Sequence, residues 1–383
     1  MTEIPASASE IGPIGWRNWR AQATSAPGSG ESVEFAIYSD AHLTEGNFEL
    51  GPYTIINAVG SSGPIGNVQL GLVLRVADYL PDDRPDYDWS RTDTTHYHGG
   101  GIAEEFAALL ALSLGRRFRA GGSIREFDGE DDRFGRIWTD GFDRPFLAAP
   151  RGLPFRPGGI PMLPGIADTV RLGTALPFLE IYPTLELDAA VPLLRAARRF
   201  EEALWIADGD PQTSWLLLIA AVETAAAQWA TEPTPEQTLE EWWPELWDVF
   251  QQAPNVPPKL VKEMANLVKS GKRFRDFLIA HMPDPPDKRP QHGRLDWGEM
   301  RHHLRAIYEA RSRAIHSGIP LPVPMVDHPR GLGEDNVPAE CAGAPTAAQG
   351  GVWRPEDAPM HLHVFAYIVG DALRQWWLAL GQQ

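Results

Sequence analysis

The chain has 383 residues, of which 43% are hydrophobic and 22% charged, and it carries a formal net charge of −17. This composition is typical of a globular protein long enough for two domains, and it excludes a disordered chain. The negative balance excludes a general nucleic-acid coat protein, because such proteins bind phosphates through clustered Lys and Arg. One cysteine, Cys341, excludes an internal disulfide framework and a cysteine-based zinc site.

The sequence also predicts where the protein is located. The N-terminal segment MTEIPASASE has no basic start followed by an apolar stretch, so we expect no signal peptide. The longest apolar run, WLLLIAAV at 215–222, is well short of the roughly 18 residues that a membrane helix requires. We therefore expect a cytoplasmic protein without a membrane partner.

The first half of the chain predicts a mixed α/β domain at residues 31–185, after a loose Ala/Ser/Gly/Pro-rich leader at 1–30. Strands are predicted where β-branched residues stand between Gly and Pro, in the segments SVEFAIYS, YTIINAVG and VQLGLVLRVADYL. Residues 102–115 predict a helix, 126–135 an acidic loop, and 145–166, with six prolines, a linker.

The second half, residues 186–383, predicts an all-α domain, so the fold class is α+β. Helical patterns occur in AAVPLLRAARRFEEALWIA, SWLLLIAAVETAAAQWA, TPEQTLEEWWPELWDVFQQ, PPKLVKEMANLVKS, RFRDFLIAHM and EDAPMHLHVFAYIVGDALRQWWLAL. Thr234 before Pro235 is a predicted helix N-cap. Residues 317–356 are rich in Pro, Gly and Ala and predict a long loop.

A further helix, beginning at Trp297, carries an arginine among its apolar residues. At 100° per residue, Arg311 falls on the same stripe as Tyr308 and Ile315, and Gly318 ends the helix. An arginine is rarely buried alone, so three interpretations stay open: Arg311 lines a cleft, pairs with a buried carboxylate, or reaches the surface. His316, in the last turn, is about 140° from Arg311 and does not share its face by spacing alone.

The sequence around this helix is locally basic. Between Lys288 and His316, seven Lys and Arg residues stand against three Asp and Glu residues. Such a basic island either marks where an anion approaches or is a solvated helix face, and the sequence leaves both interpretations open.

The segment YEARSRAIHSG resembles the Apea-like group of the HEPN superfamily. The matching positions are Tyr308, Arg311, Ser312, His316 and Gly318. The upstream segment LLLIAAVETAA, with its glutamate, and the closing segment ALRQWWLAL are similar to that group as well. The resemblance covers residues 186–383, and it implies a HEPN-like helical bundle.

The resemblance implies a metal-independent endoribonuclease without a cofactor, with a site usually completed across a homodimer. Arg311 would hold the scissile phosphate in a cleft, and His316 would be the general acid or base. Substrate-binding positions for RNA are then Arg305, Tyr308, Ser312 and Arg313. Many relatives act in antiviral defence or as toxins, so we expect a similar role.

Ser312 differs from many active members, which have Asn, Asp or His directly after the arginine. The alternative is therefore a non-catalytic HEPN dimerisation or interaction protein, whose N-terminal domain senses a ligand or a second protein partner. A separate candidate is a metal site at His96 and His98, which alternate in THYHGGG. No third ligand stands at a fixed spacing, so we predict no metal.

Overall fold

The computed structural model of the chain describes residues 11–24, 30–57, 68–80, 88–129, 131–137, 145–147, 160–229, 234–253, 255–331 and 336–382. These residues form two compact units. The first takes in the described residues of Met1–Pro157, Leu163–Leu217 and Arg374–Gln383. The second takes in those of Gly158–Met162 and Leu218–Leu373.

The first unit is built on an antiparallel sheet. The strands in the described part of the chain are β1 (Ser32–Ser39), β2 (Leu43–Thr44), β3 (Phe48–Leu50), β4 (Tyr53–Asn57), β5 (Gln69–Ala77), β6 (Arg119–Phe127), β7 (Arg136–Ile137), β8 (Val170–Arg171), β9 (Thr346–Ala348) and β10 (Gly351–Trp353). The main sheet has the order β3-β4-β5-β1-β6-β7. β2 pairs with β8 in parallel, and β9 with β10 antiparallel.

Helices make up most of the second half of the chain. The helices along the described residues are α1 (Ile14–Ala23), α2 (Ile102–Leu114), α3 (Leu176–Ile181), α4 (Leu187–Ile206), α5 (Pro211–Trp229), α6 (Pro235–Trp242), α7 (Pro244–Gln252), α8 (Pro258–His281), α9 (Met300–His316), α10 (Val323–Val326) and α11 (Leu362–Leu380). Short 3₁₀ turns occur at Leu172–Ala175, Tyr182–Thr184, Trp297–Glu299 and Pro355–Asp357. None of the described helices is long and apolar enough to cross a membrane. The α+β class predicted from the sequence is confirmed.

Helix α2 is the centre of the first unit. Beyond its first turn, which carries Glu104 and Glu105, it is apolar on nearly all sides, as a buried helix should be. It packs on β1 and β6 on one side and on α4 on another. Residues 186–206, assigned from the sequence to the second domain, lie in the first unit of the structure. The boundaries between the two units fall inside α5 and α11.

Residues 14–23, part of the predicted loose leader, form helix α1 instead. Trp16 and Trp19 are buried, and the helix is anchored by a carboxylate of α2: Glu105 accepts the N–H groups of Ile14 at 2.7 Å and Gly15 at 2.9 Å. A buried carboxylate at a helix N-terminus satisfies donors that have no partner inside the helix. The Ala, Ser, Gly and Pro residues on either side of this segment give residues 1–30 the composition of a loose leader, and this composition obscured the helix.

The helical pattern of the second unit differs from the prediction in two places. The segment 234–252 is two helices, because Pro244 begins α7 and Trp243 leaves the helical conformation with φ −138°. The segments 257–270 and 273–282, predicted as separate helices, form the single helix α8. The predicted N-cap Thr234 is confirmed, since its hydroxyl accepts from the Gln237 N–H.

Candidate active site on helix α9

Helix α9 has a buried and an exposed face. Met300, Leu304, Ile307 and Ala310 are buried at the spacing expected of one helix face. The apolar stripe does not continue to Ile315, whose side chain is 50% exposed, so that predicted core position is wrong. The last turn lies at the surface, and Gly318, at φ +66°, follows it with a conformation that favours glycine.

Arg311 lies at the edge of the core and pairs with a carboxylate. Its Nη2 donates to Glu223 Oε2 at 2.9 Å, and its guanidinium carbon lies 5.4 Å from the centre of the Tyr308 ring. The two charged side chains are 22% and 23% exposed. Of the three interpretations, the structure therefore shows the pairing of Arg311 with a carboxylate. Solvent still reaches both side chains of the pair.

Tyr308 completes this group of three side chains. Its hydroxyl donates to Glu223 Oε1 at 2.8 Å, so each oxygen of Glu223 accepts one hydrogen bond. Burial raises the pKa of the Tyr308 phenol, against a hydrogen bond with Ser270 that lowers it. The phenol is protonated at neutral pH and can serve as a donor.

His316 lies apart from that group, at the exposed end of α9. Within the described residues its imidazole makes no hydrogen bond or ion pair, and none joins it to Arg311. The ring is therefore open to a ligand from solvent. Five residues separate the two side chains, which corresponds to a rise of roughly 7.5 Å along the helix.

The other predicted substrate-binding residues are distributed unevenly. Ser312 is half-buried, and Arg313 is exposed and helps to lower the pKa of Asp357, after the larger effect of a hydrogen bond from Arg354. Arg305 has partners inside the chain: it pairs with Glu309 at 2.9 Å, and its guanidinium carbon lies 5.8 Å from the centre of the Trp242 ring. The structure thus brings Arg311 and Tyr308 together at Glu223.

Much of the predicted basic island is neutralised by contacts inside the chain. Arg289 pairs with Glu340, Arg301 lies 3.8 Å from Asp276, and Arg305 and Arg311 have the partners given above. An arginine paired in this way attracts an approaching anion less strongly. The solvated-face interpretation therefore fits most of the island. The exposed cations of the island that make no ion pair with the described residues are Lys288, Arg294 and Arg313.

Glu223 was missing from the predicted site residues. It is the one charged residue in WLLLIAAVETAAAQWA, and that isolation was the available signal. The sequence could not show which cation faces it, because Glu223 and Arg311 are 88 residues apart.

Three histidines outside α9, His98, His361 and His363, have structural neighbours. His98 Nε2 lies 3.2 Å from Glu105 Oε1, in the group that anchors α1. In the described part of the chain, no three His, Cys, Asp or Glu side chains are grouped so that they could hold a metal ion. His361 and His363 stack at 6.2 Å between ring centres, and burial lowers the pKa of His363 to about 3.

The lowered pKa of the half-buried His363 predicts a loss of stability in mild acid. The pKa of His363 in the folded chain lies below the ordinary value of 6.5. At pH values between the two pKa values, the ring is therefore protonated in the unfolded chain and neutral in the folded chain. The resulting stability is complete above pH 6.5 and falls as the pH drops towards 3, by about 2 kcal/mol at pH 5. Urea unfolding at pH 7 and pH 5 should show this loss reduced in His363→Leu and unchanged in the exposed-site control His302→Leu. An unreduced loss in His363→Leu would contradict the burial of this ring.

A scan against protein-family models, a search of curated proteins and a search of solved structures each found no match to this chain.

Proposed function

We propose that the protein is a metal-independent endoribonuclease of the HEPN type, with its site at the end of helix α9. The observation that carries this proposal is that Arg311 is held at a solvent-accessible position, while His316, five residues on, has an exposed and uncommitted imidazole. A fixed cation for a phosphate and a free imidazole that can exchange a proton are the two groups that RNA cleavage through the 2′-hydroxyl requires.

In this mechanism the guanidinium of Arg311 binds the scissile phosphate through N–H groups that do not face Glu223. His316 takes the proton of the ribose 2′-hydroxyl, or supplies one to the leaving oxygen. The 2′-oxygen forms a bond to phosphorus, and the bond from phosphorus to the 5′-oxygen breaks. The products are a 2′,3′-cyclic phosphate and a free 5′-hydroxyl.

Cleavage should continue in the presence of EDTA. The reason is that the proposed site uses a histidine, an arginine and the RNA's own hydroxyl. The measurement is cleavage of a labelled RNA with and without EDTA, with the 3′ ends of the products analysed for the cyclic phosphate or its opened form. Loss of cleavage on chelation, restored by a divalent ion, would contradict this mechanism.

The resemblance also leads us to propose a homodimer. The exposed Ile315 and Ile319 lie at the end of α9 beside His316, and their apolar area supports a contact with a second copy. Light scattering at micromolar concentration should give twice the chain mass, and Ile315→Glu should lower it. A monomer under these conditions would contradict the proposal.

The second candidate is a non-catalytic interaction protein with a ligand-sensing first unit. The internal pairing of most α9 arginines and the serine at position 312 support it. A cleft of about 400 Å³ in the first unit also supports it. This cleft lies at one end of β1, β5 and β6, and its lining includes Arg75, Asp78, Tyr79, Phe127 and Asp132. RNA bound but left uncleaved by the unsubstituted dimer would favour this candidate.

The cytoplasmic location and the role in defence or as a toxin belong to the same proposal. The single cysteine supports the first, because secreted domains commonly use disulfides. The resemblance supports the second.

A further inference from the structure

The ring of Tyr308 is fixed by packing from three sides. The edge of Trp242 meets it at 6.4 Å between ring centres, and Phe274 lies at 5.2 Å. Gly271 of α8 faces both aromatic rings, and a Cβ there would come within 2.8 Å of Trp242 and 3.0 Å of Tyr308. Such contacts leave the ring little freedom to turn.

Trp242 is fixed in turn by cations. The guanidinium of Arg275 lies 4.9 Å from the centre of its ring, and that of Arg305 lies 5.8 Å away. Arg275 also donates to Asp276 at 2.7 Å, so it is anchored independently of the ring. The hydroxyl of Tyr308 is therefore held in one place, facing Glu223.

The hydrogen bond from Tyr308 determines how Glu223 meets Arg311. A carboxylate with two free oxygens tends to bind an arginine through two parallel N–H bonds. Here Oε1 accepts from Tyr308, and Arg311 makes one bond, from Nη2 to Oε2. Within the described residues the guanidinium makes no other hydrogen bond, so the remaining N–H groups of its five can bind a ligand.

We propose that Tyr308 is a positioning residue for Arg311: it occupies one oxygen of Glu223 and thereby keeps the guanidinium available for a phosphate. From the sequence, Tyr308 was predicted to contact the RNA directly. In the present proposal it acts on Arg311 through Glu223 instead. This inference rests on the proposed nuclease function for its kinetic consequences, but its structural part stands without that function.

Tyr308→Phe should raise KM for RNA about tenfold and leave kcat within about twofold, the size expected when one charge-assisted hydrogen bond is lost. Without the hydroxyl, Glu223 can turn both oxygens to Arg311 and withdraw its N–H groups from the substrate. Tyr367→Phe is the matched control, since Tyr367 donates one hydrogen bond, to the Asp284 carbonyl, in the same unit. That variant should keep the unsubstituted KM.

The decisive test is a double-mutant cycle with Glu223→Gln. A glutamine has one acceptor oxygen and cannot bind Arg311 through two, so Tyr308→Phe should cause no further change in KM in that background. An equal rise in KM in both backgrounds would overturn the proposal, because Tyr308 would then contact the RNA itself. An unchanged KM in Tyr308→Phe alone would overturn it as well.

A readout without RNA separates this inference from the proposed function. The Nε–Hε NMR signal of Arg311 can be assigned by its loss in Arg311→Lys. The chemical shift of this Arg311 signal should change in Tyr308→Phe and stay the same in Tyr367→Phe. A shift in a protein that cleaves no RNA would uphold the positioning role and contradict the nuclease, whereas an unmoved signal would overturn the positioning role whatever the activity.

Discussion

Arg117→Ala should destabilise the first unit by about 3–5 kcal/mol, the cost of removing one partner from a buried ion pair. Arg117 is 3% exposed and donates to Asp40 at 2.9 Å, to Asp208, and to the Leu204 carbonyl. These bonds tie the end of β1 to the end of α4. Asp40 is itself buried, and its Oδ1 has no hydrogen-bond partner among the described residues. Without Arg117, that carboxylate would have no ion-pair partner in the part of the chain that the structure describes.

Protonation of Asp40 sets an upper limit to this loss. Burial already raises the pKa of Asp40, and Arg117 is the main group that lowers it. In Arg117→Ala the carboxyl would therefore take up a proton more readily, and the variant should lose less stability at pH 5 than at pH 8. Thermal and urea unfolding of the two proteins at both pH values measures the difference.

Arg91→Ala is the control for the loss of an arginine. Arg91 is 69% exposed and lies 3.2 Å from Asp88. Exposed pairs contribute little to stability, so this variant should melt close to the unsubstituted chain. If both variants melted alike, the network around Arg117 would not have the structural role assigned to it.

His316→Ala should abolish RNA cleavage without affecting folding. A general acid or base accelerates the reaction by about 10²–10⁴-fold. The exposed ring of His316 makes no hydrogen bond or ion pair with the described residues, so its loss should not weaken the helix beyond its last turn. The cleavage rate and the melting temperature of the same preparation measure both effects. Cleavage at the unsubstituted rate in His316→Ala would contradict the nuclease proposal.

Arg311→Ala provides the contrast. It should also remove cleavage, but it leaves Glu223 with Tyr308 as its only partner among the described residues that donates to it. Because the pair is partly exposed, we expect a loss of about 1.5–3 kcal/mol, smaller than that of Arg117→Ala. A loss as large as that of Arg117→Ala would mean that Arg311 is chiefly structural.

The regular parts of the fold were predictable because their residues agree with one local pattern. The strand predicted at SVEFAIYS is β1, and the helix from Trp297 is α9 with its preceding 3₁₀ turn. Strand β6 was missed because RAGGSIREF has two glycines and little alternation. One of them, Gly121, has a tertiary reason: a Cβ there would come within 2.7 Å of the Tyr38 ring.

Glycine also explains the helix that was predicted as two. Gly271 lies inside α8, where an isolated sequence favours a break, but its missing side chain makes room for Trp242 and Tyr308. The predicted long loop at 317–356 likewise contains α10 and the β9–β10 hairpin, too short to produce a periodic pattern. Motif spacing located Arg311 and His316, but not Glu223, which faces Arg311 only in the folded chain.

The anchoring of α1 has a consequence for how this protein folds while the ribosome is still making it. The helix is made well before two of its partners: Glu105, and the Leu185 carbonyl that accepts from Trp16 and Arg20. At ordinary rates of translation, the 169 residues from Trp16 to Leu185 take roughly 10–30 seconds to emerge. During that interval the ring N–H of Trp16 lacks the carbonyl to which it donates in the folded chain, so this segment of the nascent chain should depend on chaperones.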